Sequence, residues 1–282
     1  MLTWDQFDED GDNIKSGTFE EFYVDSKKYR RIYAGDTLNQ IEVAADSGLY
    51  RSGDQRWPSS VEMQIRSEAL QPLYLAFRDQ RNIRLDKINW QVGPFKLPCI
   101  ILRRTDVTIS DNGLSKFCFE PGTVLLRYTR GSGWDETIYS NFVLFQDRYV
   151  PLGIEVTHAG KAFLKIHVKE LESIAQIDDS LLKPPTGSAG PLAERVSISS
   201  DILMRDYLVS PGIPSYPRGA HGKVNVKFVV GKDGRVIQAD AVDGPAELRG
   251  PAVEAMRKYR FRPFLVLDKP VEVESGMFFE LH

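Results

Sequence analysis

The stretch GKVNVKFVVGKDGRVIQADAV, residues 222–242, decides the fold of the C-terminal part of the chain. Val224, Val226 and Phe228 alternate with polar residues, which is the period of a half-buried β-strand. An Asp-Gly dipeptide at 233–234 is typical of tight hairpin turns, and apolar residues resume directly behind it. The stretch therefore predicts an antiparallel hairpin with one apolar face.

A helix and one more strand are predicted after the hairpin. In GPAVEAMRKYRFRP, residues 250–263, apolar residues recur at helical spacing and form one stripe: Ala252, Ala255, Met256 and Tyr259. Pro251 suits the first helical position, and Pro263 ends the helix. Val271–Leu281 is predicted as the last strand. The order strand-strand-helix-strand indicates a three-stranded antiparallel sheet with a helix on one face.

Residues 3 to about 172 have the composition of a series of short strands. Aromatic and β-branched runs are separated by turn signals such as Asp25-Ser26, Gly35-Asp36 and Ala159-Gly160. So many strands must curl or close, because open sheet edges invite aggregation. An antiparallel β half-barrel is therefore predicted.

One helix interrupts this series. Ser59 or Ser60 is its predicted N-cap, and Met63, Ile65 and Leu70 are its predicted buried positions. The whole chain is predicted to be α+β. We expect a half-barrel domain at 1–175, a Pro/Gly linker at 176–195 and a β-β-α-β domain at 196–282.

Composition excludes several classes of function. The 36 Lys and Arg residues against 39 Asp and Glu residues leave a net charge of −3, which is no footprint for nucleic acid. Two cysteines and four scattered histidines build no metal site, and no catalytic motif is present. We therefore expect no enzyme activity, no metal and no cofactor.

Residues 205–282 resemble the C-terminal domain of TonB-type energy transducers. The resemblance rests on motifs in the family's order: Tyr216-Pro217, Gly222, Asp233-Gly234, Tyr259-Arg260-Phe261 followed by Pro263, and Pro270-Val271 followed by Val273. One departure is the turn at Leu267-Asp268-Lys269, where the family usually has a glycine.

The resemblance implies where a partner binds. Such domains hold an extended peptide from an outer-membrane transporter as an added strand. Val271–Met277 would be the receiving segment, lying at a sheet edge, and the donors would be the backbone N–H groups of Val271 and Val273. The residues implied in partner binding are Val271, Glu272, Val273, Glu274, Ser275, Tyr216 and Pro217. Glu272 and Glu274 should point outward, and the alternative is that their charges serve only to protect the edge.

The resemblance also implies the periplasm of a Gram-negative bacterium. The chain starts Met1-Leu2-Thr3-Trp4-Asp5 without a targeting or anchoring segment, so we expect such a segment to have been removed. If it was a membrane anchor, an energy transducer is the alternative function. The expected partner is an envelope protein or a transporter peptide, and pairing of edge strands to a homodimer stays open.

The first domain resembles, on weaker grounds, the LolA/LolB lipoprotein carriers. The resemblance rests on the predicted strand series, the single helix and the phrase GLYRSGDQRWPSS at residues 48–60. It implies an apolar cavity for a lipid or lipoprotein. The cavity residues would be Phe22, Tyr33, Trp57, Met63 and Trp90, and the alternative is that they fill a barrel core. In a periplasmic chain, Cys99 and Cys118 on neighbouring predicted strands should form a disulfide.

Overall fold

The computed structural model describes residues 1–45, 48–70, 83–104, 115–131, 135–174, 178–188, 195–216 and 221–281. Its N-terminal elements are β1 Leu2–Phe7, β2 Asn13–Asp25, β3 Lys28–Gly35, β4 Gln40–Ala45, β5 Gly48–Gly53, α1 Ser60–Leu70, β6 Ile83–Val92, β7 Phe95–Arg104, β8 Lys116–Phe119, β9 Leu126–Arg130, β10 Asp135–Phe145, β11 Arg148–His158 and β12 Lys161–Val168. A 3₁₀ turn follows at Asp179–Leu182.

The twelve strands form one sheet in the order β5-β4-β3-β2-β1-β12-β11-β10-β9-β8-β7-β6. Neighbours in the sheet are also neighbours in the chain, except where β1 pairs with β12, from Leu2 opposite Val168 to Gln6 opposite Leu164. Such a meander is what closely spaced turn signals favour. The prediction of an antiparallel N-terminal sheet within an α+β fold is confirmed.

The C-terminal elements are β13 Arg195–Ser197, α2 Ser200–Ile202, a π-helical turn Leu203–Tyr207, β14 Leu208–Ser210, β15 Gly222–Val230, β16 Val236–Asp243, α3 Ala246–Lys258, β17 Arg260–Phe261, β18 Phe264–Val266 and β19 Lys269–Leu281. The sheet has the order β13-β19-β15-β16, and β18 also pairs with β19. The predicted hairpin, helix and last strand are present, whereas the prediction of only three strands is wrong because β13 and β18 join them.

The helix α3 begins five residues before its predicted start. Pro251 lies inside it rather than at the first position, and Pro245 occupies the N-cap position. The reason is that Leu248, fully buried, continues the apolar stripe of Ala252 by one turn upstream. The stripe itself, including Ala255 and Met256, packs as predicted.

Contacts divide the chain into two compact units. The first holds Met1–Glu21, Ile32–Asn39 and Gln64–Gln176, and the second holds Phe22–Arg31, Gln40–Met63 and Ile177–His282. The domain boundaries taken from the sequence stay a prediction.

In the first unit, Trp4 is 4% exposed and lies against two glycines. A Cβ atom at Gly17 would stand 2.8 Å from the Trp4 ring and from the Ala34 carbonyl oxygen, and one at Gly35 would stand 2.6 Å from the Ser16 carbonyl oxygen. These glycines are therefore required by close approach of the backbones of β2 and β3.

The helix α1 buries Ile65 as predicted but leaves the predicted position Leu70 exposed. Ile65 and Ala69 are 2% and 3% exposed, but Leu70, predicted as buried, is 43% exposed. The helix start was predicted correctly, and it is a capping box. The Ser59 N–H donates to Glu62 Oε2 at 2.6 Å, and the Glu62 N–H reaches Ser59 Oγ at 3.5 Å.

Glu68 of α1 is a buried carboxyl group in the first unit. The Tyr139 hydroxyl donates to its Oε2 at 2.5 Å, and Thr137 reaches its Oε1 at 3.5 Å. Burial raises the pKa of Glu68 above its ordinary value, although the hydrogen bonds from Tyr139, Gln64 and Thr137 act in the opposite direction. The folded chain therefore favours the protonated form of this carboxyl group.

Glu42 of β4 is a buried carboxylate in the second unit with the opposite behaviour. Arg51 donates through Nε at 2.8 Å and Nη2 at 2.6 Å to Glu42 Oε2. Arg31 and the Tyr29 hydroxyl each reach Oε1 at 3.1 Å. Burial alone would raise the pKa of Glu42, but the two arginines and the hydrogen bonds outweigh it and hold the pKa below its ordinary value.

The two cysteines lie directly opposite each other on β7 and β8 and form a disulfide. Both are buried, and they pack with Leu97 and Tyr128. The disulfide predicted from the sequence is therefore present. It closes a loop of 19 residues in the chain.

We expect replacement of both cysteines by alanine to lower the free energy of unfolding by about 3 kcal/mol, because the unfolded chain loses a cross-link over this loop. Urea denaturation with and without reductant measures this loss in the free energy of unfolding. Reductant should destabilise the wild-type chain and leave the double variant unchanged. A wild-type chain that reductant does not destabilise would contradict the assignment.

The two buried carboxyl groups give a matched pair of substitutions. Glu42→Gln should cost about 3–5 kcal/mol at neutral pH, because Arg51 is left buried without its counter-charge. Glu68→Gln should be neutral or stabilising, because it copies the protonated form.

The pH dependence has opposite signs for these two groups. The contribution of Glu42 is present above its unfolded pKa and is lost as pH falls through the lowered folded pKa. That of Glu68 is present below its unfolded pKa and is lost as pH rises towards the raised folded pKa. Urea denaturation of each variant at about pH 3, about pH 5 and about pH 8 separates them, because the contribution of Glu42 is lost below about pH 5 and that of Glu68 above it. Equal losses for both variants would show that the pKa directions are wrong.

Candidate functional site

The last strand, β19, is the segment that the sequence implicated in partner binding. One of its edges pairs with β15, from Val273 opposite Val230 to Leu281 opposite Gly222. On the opposite edge, β13 runs parallel to Glu272–Glu274. The prediction that Val271–Met277 lies at a wholly unpaired sheet edge is therefore wrong, because the chain covers part of that edge with its own strand.

The register of β13 is defined by backbone and side-chain hydrogen bonds. Arg195, Val196 and Ser197 lie opposite Glu272, Val273 and Glu274, respectively. The Ile198 N–H then donates to the Glu274 carbonyl oxygen at 3.0 Å. The Ser275 hydroxyl donates to the Ile198 carbonyl oxygen at 2.7 Å and is itself buried.

This register corrects which donors are available for strand addition. The N–H and C=O of one strand residue point to the same side, and successive residues alternate. Since the Glu274 carbonyl faces β13, the backbone groups of Glu272 and Glu274 face the added strand. Those of Val271 and Val273, which were predicted to be the donors, face away from it.

The side chains of β13 divide between core and surface. Val196 and Ile198 are 6% and 3% exposed, in the core cluster that also contains Val273. Arg195 donates to Glu272 Oε2 through Nε at 2.9 Å and through Nη2 at 2.7 Å. Ser197 is exposed. An added strand is thus held by main-chain bonds, two apolar side chains and one ion pair.

The partner-binding residues predicted on β19 lie beside β13. The side chains of Val271 and Val273 are buried, and those of Glu272 and Glu274 point outward, as the alternation predicts. The side chains of Glu274 and Arg195 line a shallow surface depression together with Lys227, Gln238 and Asp240. Cationic, anionic and neutral polar side chains therefore lie beside the added strand.

Tyr216 is half-buried and packs against the core cluster of this domain. Burial, and then the neighbouring Tyr259, raise the pKa of its hydroxyl. Among the described residues, this hydroxyl has no hydrogen-bond partner. Pro217, its predicted companion, lies outside the described residues.

Part of the β13-side edge of β19 carries no strand. The backbone groups of Gly276, Phe278 and Glu280 point to the same side as those of Glu274. In the described ranges of the chain, no strand pairs with these residues on that side. The Phe278 side chain is 56% exposed. Among the described residues, this edge is therefore paired at Glu272–Glu274 and open from Gly276 to Glu280. Both parts were treated as open in the sequence analysis.

A tight turn leads into this strand. Leu267 and Asp268 adopt φ angles of 49° and 63° between Val266 and Lys269, which pair with each other. Two residues with positive φ are what a type I′ hairpin needs, here without glycine. The departure from the family pattern noted in the sequence therefore leaves the hairpin intact.

The five predicted cavity residues lie in different surroundings. Tyr33 packs on Phe19 with ring centroids 4.9 Å apart, and Lys116 Nζ lies 4.4 Å above the Trp90 ring. Trp57 and Met63 both pack against the core cluster that holds Val196. Phe22 is half-buried. Trp57 and Met63 are thus brought to one cluster, and the cavity stays a prediction.

The described ranges of the chain contain neither a metal-binding cluster nor a helix suited to span a membrane. There, no three His, Cys, Asp or Glu side chains are grouped so that they could hold a metal ion. No described helix combines the length and the apolar character that a membrane span needs.

A match to one protein family agrees with the resemblance drawn from the C-terminal sequence. Residues 214–281 match the family described as the Gram-negative bacterial TonB protein C-terminal. Among solved structures, the chain is similar to an outer membrane lipoprotein-sorting protein domain from Vibrio parahaemolyticus, at 8% identity and a TM-score of 0.37, over 64% of this chain and 89% of the other. No curated protein matches the chain.

The family match covers β15 to β19 and leaves the rest of the chain, including β13, outside it. The resemblance to TonB-type C-terminal domains is thereby confirmed for residues 214–281. The family match supports an envelope protein with a TonB-type C-terminal domain at residues 214–281.

Proposed function

We propose that this chain is a periplasmic, non-enzymatic envelope protein whose C-terminal domain binds an extended segment of an envelope partner by strand addition to the β13-side edge of β19. The partner is an envelope protein or a peptide of an outer-membrane transporter. The family match at residues 214–281 supports the compartment and the class of partner.

One observation carries the proposal. The edge of β19 already accepts an added parallel strand, Arg195–Ser197, in a defined register. Main-chain bonds of this kind do not depend on the side chains of the added strand, which makes such an edge a general receptor for extended peptides. The alternation of inward and outward side chains then supplies selectivity.

The open part of the edge supports the same function. Gly276, Phe278 and Glu280 present a row of backbone groups with which no described strand pairs, and a sheet edge of this kind readily pairs with another chain. Phe278 adds an exposed aromatic side chain, with Lys223 Nζ 4.2 Å above its ring. A partner strand there would meet backbone donors, an aromatic face and a cation.

Gly276 allows a test with a matched control at one position. A Cβ atom there has its nearest neighbour, the Val226 carbonyl oxygen, at 3.5 Å, so alanine fits. Proline removes the outward N–H but costs no bond to β15, since that N–H faces the other side. Gly276→Pro should therefore weaken peptide binding at least about tenfold, whereas Gly276→Ala should bind like the wild type.

The probe is a display library of random peptides of about twelve residues, selected on the full chain and then synthesised for calorimetric titration. Thermal unfolding confirms that both variants are folded. A selected peptide that binds the folded proline variant as well as the alanine variant would contradict strand addition here. Failure to select any peptide would contradict the proposal as a whole.

A further inference from the structure

We infer that Arg195–Ile198 is a built-in, displaceable copy of the partner's strand. The partner segment then runs parallel to β19 with the order cationic, β-branched, small polar, β-branched. The inference rests on the proposed function and adds which peptide the edge selects and what competes with it.

The first position is defined by charge. Both Arg195 Nε and Arg195 Nη2 donate to one oxygen of Glu272, whose side chain is 28% exposed. Glu274 lies two residues further along β19 and also points outward. A cation at the start of the incoming strand therefore meets a carboxylate, whereas an acidic residue there would face repulsion from two.

The second and fourth positions are defined by burial. Val196 and Ile198 both enter the core cluster, which includes Val224, Val226 and Val273. β-Branched side chains suit this place because they pack well on a pleated surface. A polar side chain at either position would be buried without a partner, which makes these two positions the most selective ones.

Ser275 defines the register of the added strand. Its buried hydroxyl donates at 2.7 Å to the carbonyl oxygen of the fourth residue of the added strand, Ile198. A strand shifted by one residue would place Arg195 and Ser197 towards the core, and it would turn Val196 and Ile198 outward. The edge therefore selects a register as well as a composition.

The inner strand is short enough to be displaced. It is paired with β19 over three residues, and the chain then enters α2 at Ser200. A partner that continues along β19 can also use the backbone groups of Gly276 and Phe278, which β13 leaves unpaired. A tethered competitor acts at an effective concentration of about millimolar, so β13 lowers the apparent affinity of the edge until it is displaced.

The test uses a fluorescent synthetic peptide with the chain's own sequence AERVSIS, residues 193–199, and full-length variants. Val196→Asp should expel β13, because a carboxylate cannot be buried in the apolar core. Fluorescence anisotropy should show at least about tenfold tighter peptide binding to Val196→Asp than to the wild type. Val209→Asp, the same change at a position 62% exposed, is the matched control and should bind like the wild type.

A second experiment tests the cationic first position of the added strand. A peptide with Glu in place of the arginine should lose binding to Val196→Asp and regain it when Glu272→Arg is added. Where Val196→Asp fails to fold, Arg195→Glu takes its place, because it removes the ion pair of β13 and leaves the apolar side chains.

Two outcomes would overturn the inference. A folded Val196→Asp chain that binds the peptide no better than Val209→Asp shows that β13 is a fixed structural strand. A variant that instead dimerises with rising concentration, without binding the peptide, shows that the edge selects a second copy. If library peptides still bind in a Gly276-dependent way, the proposed function stands while this inference fails, and if neither binds, both fail.

Discussion

The parallel pairing of Arg195–Ser197 with Glu272–Glu274 is the interaction on which the proposed binding edge depends. It covers part of a long edge strand, which matters because unpaired backbone groups cost free energy and attract other chains. It also brings Val196 and Ile198 into the same core that β15, β19 and α3 build. One short strand thus serves stability and, in the proposed function, selectivity.

Each of the two units buries a carboxyl group whose pKa is shifted. In the second unit, Glu42 is held charged by Arg51 and Arg31, and Arg51 also lies 4.1 Å from the Trp57 ring centroid. In the first unit, Glu68 meets hydroxyl groups instead of cations, and burial raises its pKa. Burial acts to raise the pKa of both carboxyl groups, and only at Glu42 do neighbouring cations outweigh it.

Much of the fold follows from local patterns, and the failures have physical causes. The hairpin β15–β16 was predictable because strict alternation and an Asp-Gly turn point to the same structure. Three residues at 195–197 are too short to show a period, and they lie at the end of a stretch rich in proline and glycine. Pro251 was misleading because proline is common at helix starts, although Leu248 extends the stripe before it. For β19, sequence alternation separated outward from inward side chains correctly. It could not tell which backbone donors face the partner, since that depends on the neighbour that each edge meets.

The most direct measurement is amide hydrogen exchange by NMR on the full chain, with and without the AERVSIS peptide, read at Ile198, Glu272 and Glu274. The account predicts that these amides are protected in the free chain. Saturating peptide should remove the protection of Ile198 in the chain while Glu272 and Glu274 stay protected, because one added strand replaces the other. Rapid exchange of Glu272 and Glu274 in the free chain, or unchanged protection of Ile198 with peptide bound at this edge, would contradict it.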